Sequence, residues 1–174
     1  MSFNFNFRFA EDEKDIGKII KFLEARPFNY PNYLNWVCRV KEELLVGYKQ
    51  GIFAVSDDGV LVGDLIFQPH KDFPGNFLEL KNLRIHEKIQ GRYFGVFMLK
   101  QAEVEARGNY QGIVCDVRSD NLSVAGLLKF MGYQELFRAP IYGKNAEDIV
   151  FGKSFKINRG IFVPVKKKIL ERSF

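Results

Sequence analysis

Apolar and polar positions alternate with a period of two where Phe3, Phe5, Phe7 and Phe9 interleave with Asn4, Asn6 and Arg8, predicting a strand over residues 3–9 with one aromatic face. The period then lengthens. Ile16, Ile19, Ile20 and Leu23 recur at helical spacing behind Asp12, a natural N-cap, and Pro27 closes that helix. Tyr33, Trp36, Val37, Val40 and Leu44 mark a second helix that ends near Gly47. Two apolar segments, 51–56 and 60–68, flank Asp57, Asp58 and Gly59, which is a hairpin signature. A strand over 77–85 leads through a short link into a helix from about Arg92 to Arg107, which Gly108 is expected to end in a left-handed conformation. The apolar stretch 112–118 reads as a strand. Asn121 then opens a helix whose Val124, Leu127, Leu128 and Met131 share a face and whose stop is Gly132. Strands near 133–138 and 147–155 complete the pattern.

The order β-α-α-β-β-β-α-β-α-β-β predicts an α+β fold in which helices cover a mixed sheet. Residues 1–155 are expected to form the domain and 156–174 a basic C-terminal extension of it. In that extension Ile161-Phe162-Val163-Pro164-Val165 reads as a final edge strand, where proline is tolerated. At 174 residues the chain has the size of one globular domain. Its 47% apolar and 15% aromatic content excludes disorder and collagen-like repeats. Cys38 and Cys115 stand far apart, each without a second cysteine or a histidine at metal-ligand spacing, which points to a reducing cytoplasm and away from a disulfide framework. The longest apolar runs, such as Phe94 to Leu99, fall well short of the ~18 residues that a membrane span needs, and no apolar signal core opens the chain.

Charge narrows the partners only a little. The 26 Lys+Arg against 21 Asp+Glu give a net +5, mostly interspersed apart from Lys166, Lys167 and Lys168, so no nucleic-acid patch is expected. The N-terminal phenylalanines read as sheet packing, because too few basic residues interleave them for a base-stacking platform. His70 and His86 lack companion ligands, and no metal site is expected.

Chemistry concentrates in two stretches. In Leu83-Arg84-Ile85-His86-Glu87-Lys88-Ile89-Gln90-Gly91-Arg92-Tyr93-Phe94-Gly95 a strand runs into a turn and a helix start. The first amides of a helix have no intrahelical acceptor and the macrodipole is positive there, so the backbone of Gln90, Gly91, Arg92, Tyr93, Phe94 and Gly95 could hold a diphosphate. A glycine-containing turn is just as often only a turn. In the second stretch Asp116 lies within the apolar run Ile113-Val114-Cys115-Asp116-Val117, where burial would raise its proton affinity and make it a better base. The alternative is a buried aspartate satisfied by hydrogen bonds.

The segment from Asp116 to Tyr133 resembles the V-R-x-x-N-x-x-A-x-x-L-Y-x-x-x-G-F signature of the GNAT superfamily of acetyl-coenzyme A-dependent N-acetyltransferases. The earlier stretch is similar to that family's Q/R-x-x-G-x-G/A cofactor motif, and the two occur in the family's order. The likeness is strong over about 77–155, without motif over 1–68 and absent over 156–174. It is nearest in motif to ribosomal-protein N-acetyltransferases, through the acidic position occupied by Asp116. Three residues depart from the pattern: Tyr93 at the first glycine position of the cofactor motif, Val124 at the usual alanine, and Leu128 at the tyrosine that many members use as a general acid.

The resemblance implies a mixed, mostly antiparallel twisted sheet flanked by helices, acetyl-CoA as cofactor, and direct acetyl transfer to an amine, small molecule or protein, in a ternary complex. The backbone of Leu83, Arg84 and Ile85 would pair along the pantetheine arm, Asn121 would hydrogen-bond the same arm, and an amide near Ile85 could meet the oxyanion. An acceptor amine with a reference pKa of about 10.4 must lose a proton, so a carboxylate should assist. Besides Asp116, Glu79 matches a site where other members place a base; otherwise it forms a solvated cross-strand ion pair with a lysine near Lys81. Tyr142 is the expected substitute proton donor for the missing tyrosine, with plain packing as its alternative. Phe28, Tyr30, Tyr33 and Trp36 lie in the region that the resemblance gives to the acceptor, and they suggest an apolar or cationic group there; core packing is the competing explanation. A homodimer is left open. Leu128 supports a rival reading, a catalytically degenerate acyl-CoA-binding module with a regulatory, nucleic-acid or ribosome-associated role.

Overall fold

The computed structural model describes residues 4–28, 30–143, 147–156 and 160–173. Phe3 of the expected first strand, and residues 157–159 and 174 of the expected extension, lie outside them. Among the described residues seven strands form one sheet in the order β1-β2-β3-β4-β5-β7-β6. They are β1 (Phe5–Phe9), β2 (Gln50–Ser56), β3 (Leu61–Pro69), β4 (Phe77–Ile85), β5 (Gly112–Arg118), β6 (Gln134–Ala139) and β7 (Asp148–Ser154). The helices are α1 (Glu13–Glu24), α2 (Tyr33–Leu45), α3 (Phe94–Asn109), α4 (Leu122–Phe130) and α5 (Val163–Ser173). The β4–β5 pairing is parallel, while β1–β2, β2–β3, β5–β7 and β6–β7 are antiparallel. The chain divides into two compact units, the first comprising residues through Gln68 with Asn82–Ala102, the second Pro69–Lys81 with the remainder from Glu103.

In the first unit the Asp12 carboxylate accepts the Asp15 amide at 2.7 Å and fixes the start of α1. The apolar stripe Ile16, Ile19, Ile20 and Leu23 packs with Tyr33, Val37, Val40 and Leu44 of α2 over Phe53 and Ile66 of the sheet. Gly47, at φ 72°, follows α2 in the left-handed conformation its position requires. The hairpin between β2 and β3 closes through Gly59, whose amide donates to the Ser56 carbonyl at 2.8 Å. The aromatic face of β1 meets the start of α3: Phe5 and Phe7 pack with Ala54, Val62, Ile85, Ile89 and Phe94. Phe5 stands edge-on to Phe94 with ring centroids 4.6 Å apart.

In the second unit β5 pairs with β4 over Gly112–Cys115 and with β7 along its whole length, Gly112↔Ser154 to Arg118↔Asp148. Asn121 caps α4 by accepting the Val124 amide at 3.3 Å. Gly132, at φ 83°, ends it: its amide donates to Lys129 and that of Tyr133 to Leu128, the paired bonds of a Schellman motif.

Three sequence expectations are corrected here. Gly108 does not terminate α3. Its φ is not left-handed, and the Tyr110 amide continues the helical ladder to the Ala106 carbonyl at 2.8 Å. Residues 161–165 are not an edge strand; they lead into α5. The apolar positions Ile161, Val165 and Ile169 recur every four residues, and Pro164 falls in the first helical turn, where its missing N–H has no intrahelical acceptor to satisfy. Ile161, Phe162, Val165, Ile169 and Leu170 join Phe77, Val114, Phe137 and Val150 in this unit's core, so the expected extension closes that core. The helical spacing of Val37, Val40 and Leu44 puts Cys38 near an apolar helix face, yet it lies exposed on α2, whereas Cys115 is buried as its strand predicts.

Candidate functional site

Within the first unit, β4 runs into a single 3₁₀ turn, Glu87–Ile89, capped by His86, whose Nδ1 accepts the Lys88 amide at 3.2 Å. The Gln90 side chain donates from Nε2 to the Ile85 carbonyl at 3.0 Å and ties the strand end to the turn. Gly91 and Tyr93 both have positive φ, 76° and 63°. Tyr93 stands where the family motif has its first glycine, and its left-handed backbone shows why glycine suits the position: a residue with a Cβ there is strained by about 1–2 kcal/mol. Its carbonyl accepts the Phe97 amide at 3.1 Å, the first bond of α3, so the amides of Phe94 and Gly95 fall in the turn that has no intrahelical acceptor. No acidic residue occupies the first turn of α3. Gln90, Gly91, Arg92 and Tyr93 are exposed, Phe94 and Gly95 buried. The structure thus gathers the six residues of the expected anion site into one turn and helix start.

The three expected catalytic residues meet in the second unit, around a side chain that sequence reasoning passed over. Glu79 and Lys81, two apart on β4, share a face, and Asp116 lies one position beyond the last registered β4–β5 pair, Leu80↔Cys115. The Lys81 Nζ is 3.0 Å from Glu79 Oε1, 3.8 Å from Asp116 Oδ1 and 3.3 Å from the Tyr142 hydroxyl. Tyr142 also hydrogen-bonds Asp116. Glu79 therefore pairs within its own strand. Burial pushes the Asp116 carboxyl up, against the pull of Lys81 and with help from Glu79, and the net shift is upward. Burial alone would lower Lys81, yet Asp116, Tyr142 and Glu79 hold it well above the ordinary lysine range. Tyr142 is raised by burial and by the Asp116 charge and keeps its proton. Proton acceptors and a protonated hydroxyl therefore share one hydrogen-bonded group. The alternation of Phe77-Leu78-Glu79-Leu80-Lys81 was the available signal for Lys81, since i and i+2 on a strand point the same way.

The aromatic residues expected on the acceptor side also assemble, in the first unit, and a cation is already among them. The Arg84 guanidinium lies 3.9 Å from the Phe28 ring centroid and donates to the Tyr33 hydroxyl at 2.8 Å, to the Leu23 carbonyl at 3.3 Å and to the Arg26 carbonyl. Phe28 stands edge-on to Tyr30 and Tyr33, at 6.0 and 6.2 Å, and Tyr33 packs against Trp36 at 5.6 Å. Burial raises the Tyr33 phenol, with Arg84 opposing. Behind Arg84, Asn82 donates to Asp64, a fully buried carboxylate whose second oxygen has no partner among the described residues. Arg84 was expected to contribute backbone alone; its neighbours on β4, Leu83 and Ile85, are half-buried.

Asn121 is occupied at Oδ1 by the α4 cap. Leu128 is buried at 2% exposure, so the position of the family tyrosine is filled by core. Burial raises the Cys115 thiol, with Asp116 and Glu79 adding to it, and this disfavours the thiolate. His70, pushed down by burial, accepts the Asp72 amide at Nδ1 and packs on Phe73. Among the described residues no group of three or more His, Cys, Asp or Glu could hold a metal ion, and no helix is long and apolar enough to cross a membrane.

Residues 18–133 match the model of the acetyltransferase (GNAT) family. None of the curated proteins searched matches. Among solved structures, Arabidopsis thaliana NAA60 in complex with acetyl-CoA is 13% identical, with a TM-score of 0.72 over 87% of this chain and 99% of its own. An N-acetyltransferase from Staphylococcus aureus Mu50 is 14% identical, with a TM-score of 0.72 over 88% and 99%. The acetyltransferase of GNAT family from Streptococcus pneumoniae is 15% identical, with a TM-score of 0.67 over 87% and 100%.

Proposed function

The chain belongs to the acetyltransferase (GNAT) family, and from that premise we propose that it transfers an acetyl group from acetyl-CoA to an amine by direct attack, without metal or acetyl-enzyme. The observation that carries this reading is the hydrogen-bonded group of Glu79, Lys81, Asp116 and Tyr142. Acetyl-CoA, when bound, supplies a thioester carbonyl open to a neutral amine. Asp116 receives the acceptor's proton, directly or through water, with Glu79 as the second carboxylate; burial raises Asp116 and so makes it a stronger base than an ordinary solvated carboxylate. Tyr142 holds a proton at its hydroxyl that is available to a leaving thiolate, the role Leu128 cannot fill.

The turn at the start of α3 fits the cofactor's diphosphate: it presents the amides of Phe94 and Gly95, the positive end of a 16-residue helix, no first-turn acid, and Arg92 with Gln90, Gly91 and Tyr93 beside them. Leu83, Arg84 and Ile85 would offer strand backbone to the pantetheine arm, the Ile85 amide would face the oxyanion, and Asn121 retains its amide nitrogen for the same arm. Phe28, Tyr30 and Tyr33 would meet the acceptor. The likeness of Asp116 to the acidic position in ribosomal-protein N-acetyltransferases supports a protein amine as acceptor, and the two unpaired cysteines support a cytoplasmic setting.

Thiol release from acetyl-CoA with a panel of amines and N-terminal peptides tests the reading. Asp116→Asn should lower kcat by about 10²–10⁴ with coenzyme A affinity intact. Gly95→Glu, which adds bulk and negative charge at the helix start, should weaken that affinity at least ~10-fold. Absence of calorimetric heat with coenzyme A would overturn the cofactor assignment. The burial of Leu128 favours a second reading, a binding module without catalysis. Tight coenzyme A binding with no thiol released from any amine would select it.

A further inference from the structure

We propose that Lys81 is a positioning residue for acetyl transfer: its ammonium bridges Glu79 and Asp116 and keeps one of these carboxylates deprotonated to receive the acceptor's proton. The inference rests on the proposed function and adds to it a residue outside the family motifs quoted above.

The geometry carries it. Two carboxylates brought to the same face of adjacent parallel strands repel one another, and in a partly buried setting one of them takes up a proton. A base that is already protonated cannot act. Lys81 stands between them, 3.0 Å from Glu79 and 3.8 Å from Asp116, while its third contact, at 3.3 Å, is the hydroxyl assigned as proton donor. The ammonium thus faces both the accepting and the donating side of the proposed proton traffic. Its side chain is mostly buried, and its charge is not shed at working pH, because three partners hold the lysine above its ordinary range.

Among the described residues, the other titrating groups that interact with Asp116, Glu79 or Lys81 leave this role to Lys81. On β5 itself Cys115 is a raised, neutral thiol. On β7 Asp148 adds negative charge, partly offset by Arg118 and held by the Ile141 amide at 3.1 Å. In the turn after β3, His70 is shifted toward its neutral form. Tyr142, from the segment after β6, is neutral. Lys81 contacts both carboxylates, and Arg118 lowers Asp148.

Two readings of the same variants test this: the pH dependence of kcat/KM, and carbon-13 NMR titration of the protein labelled at its aspartate and glutamate carboxyls. The Asp116 resonance is identified by its loss in Asp116→Asn. In Lys81→Met the acid limb of kcat/KM and the Asp116 titration should both move to higher pH, by about one pH unit or more, the scale on which an opposite charge within ~4–6 Å acts. Lys81→Arg, which keeps the charge, should return both toward wild type. If the methionine variant does not fold, Lys81→Gln, which keeps a donor without charge, carries the same expectation. A folded, uncharged variant whose Asp116 titration and acid limb stay in place, with activity lowered equally at all pH values, would overturn the proposal and leave acetyl transfer standing. A moved titration in a protein that acetylates no amine would show the electrostatic hold and overturn the functional reading instead.

Discussion

At the scale of single residues, buried charge decides what the protein can do and at what pH. Asp64 has its carboxyl pushed up to about 7 by burial, against Arg84 and the Asn82 hydrogen bond. Between the ordinary carboxylate range and about 7 the folded protein therefore holds a proton that the unfolded chain has released. The stability from this group is complete below that range and is lost as pH rises through about 7. Urea denaturation from pH 5 to pH 8 should show a decline that Asp64→Asn flattens, by at most about 1.4 kcal/mol per pH unit. The amide can still accept from Asn82, and an unchanged slope in the variant would refute the assignment. Sequence alone made Glu79, Asp116 and Tyr142 visible singly, through strand position, apolar surroundings and family likeness. Strand alternation put Lys81 on the face of Glu79, a local signal that went unused, whereas its contact with Tyr142, 61 residues away, leaves no local trace. Arg84 was hidden for the same reason: its partners at Leu23, Arg26 and Tyr33 are fixed by helix packing.

At the scale of elements, local chemistry explains the agreements and the failures alike. Asp12 and Asn121 cap as their side chains dictate, and Gly47 and Gly132 stop helices in the left-handed conformation. Gly108 looked equivalent but sits inside α3, where an added Cβ would meet nothing within 4 Å. Gly108→Ala should therefore stabilise the protein by about 0.5–1 kcal/mol, whereas Gly132→Ala should destabilise it by about 1–2 kcal/mol. Thermal melts moving in opposite directions would verify both. Misreading residues 161–165 as a strand has an equally local origin. A short apolar run with β-branched residues does not declare its period, and only the later Ile169 and Leu170, packed on the same core, reveal the helical repeat.

At the scale of the whole molecule, the class of fold was legible and the path of the chain through the sheet was not. Alternating segments and turn residues announce an α+β layer, but the insertion of β7 between β5 and β6 is chosen by tertiary packing. The C-terminal helix is the larger surprise, since a segment taken for an appendage closes a core. Val165 is fully buried among Phe77, Val114 and Val150. Val165→Asp should cost about 3 kcal/mol or more by placing an unpaired carboxylate in apolar surroundings, while the exposed Lys167→Asp should stay within about 0.5 kcal/mol. Equal melting temperatures for the two would contradict the docking of α5.

The stacking of Arg84 on Phe28, with its hydrogen bonds to Leu23 and Arg26, fastens the stretch between α1 and α2 from beneath. On the proposed reading, an acceptor that meets Phe28 and Tyr33 would find rings already held by Arg84. The disorder it would otherwise have to quench, about 0.5–1.5 kcal/mol for each immobilised side chain, was removed when the chain folded. If the acceptor binds there as proposed, so rigid a surface would reward molecules that match its contour and leave ill-fitting ones without an adaptable partner.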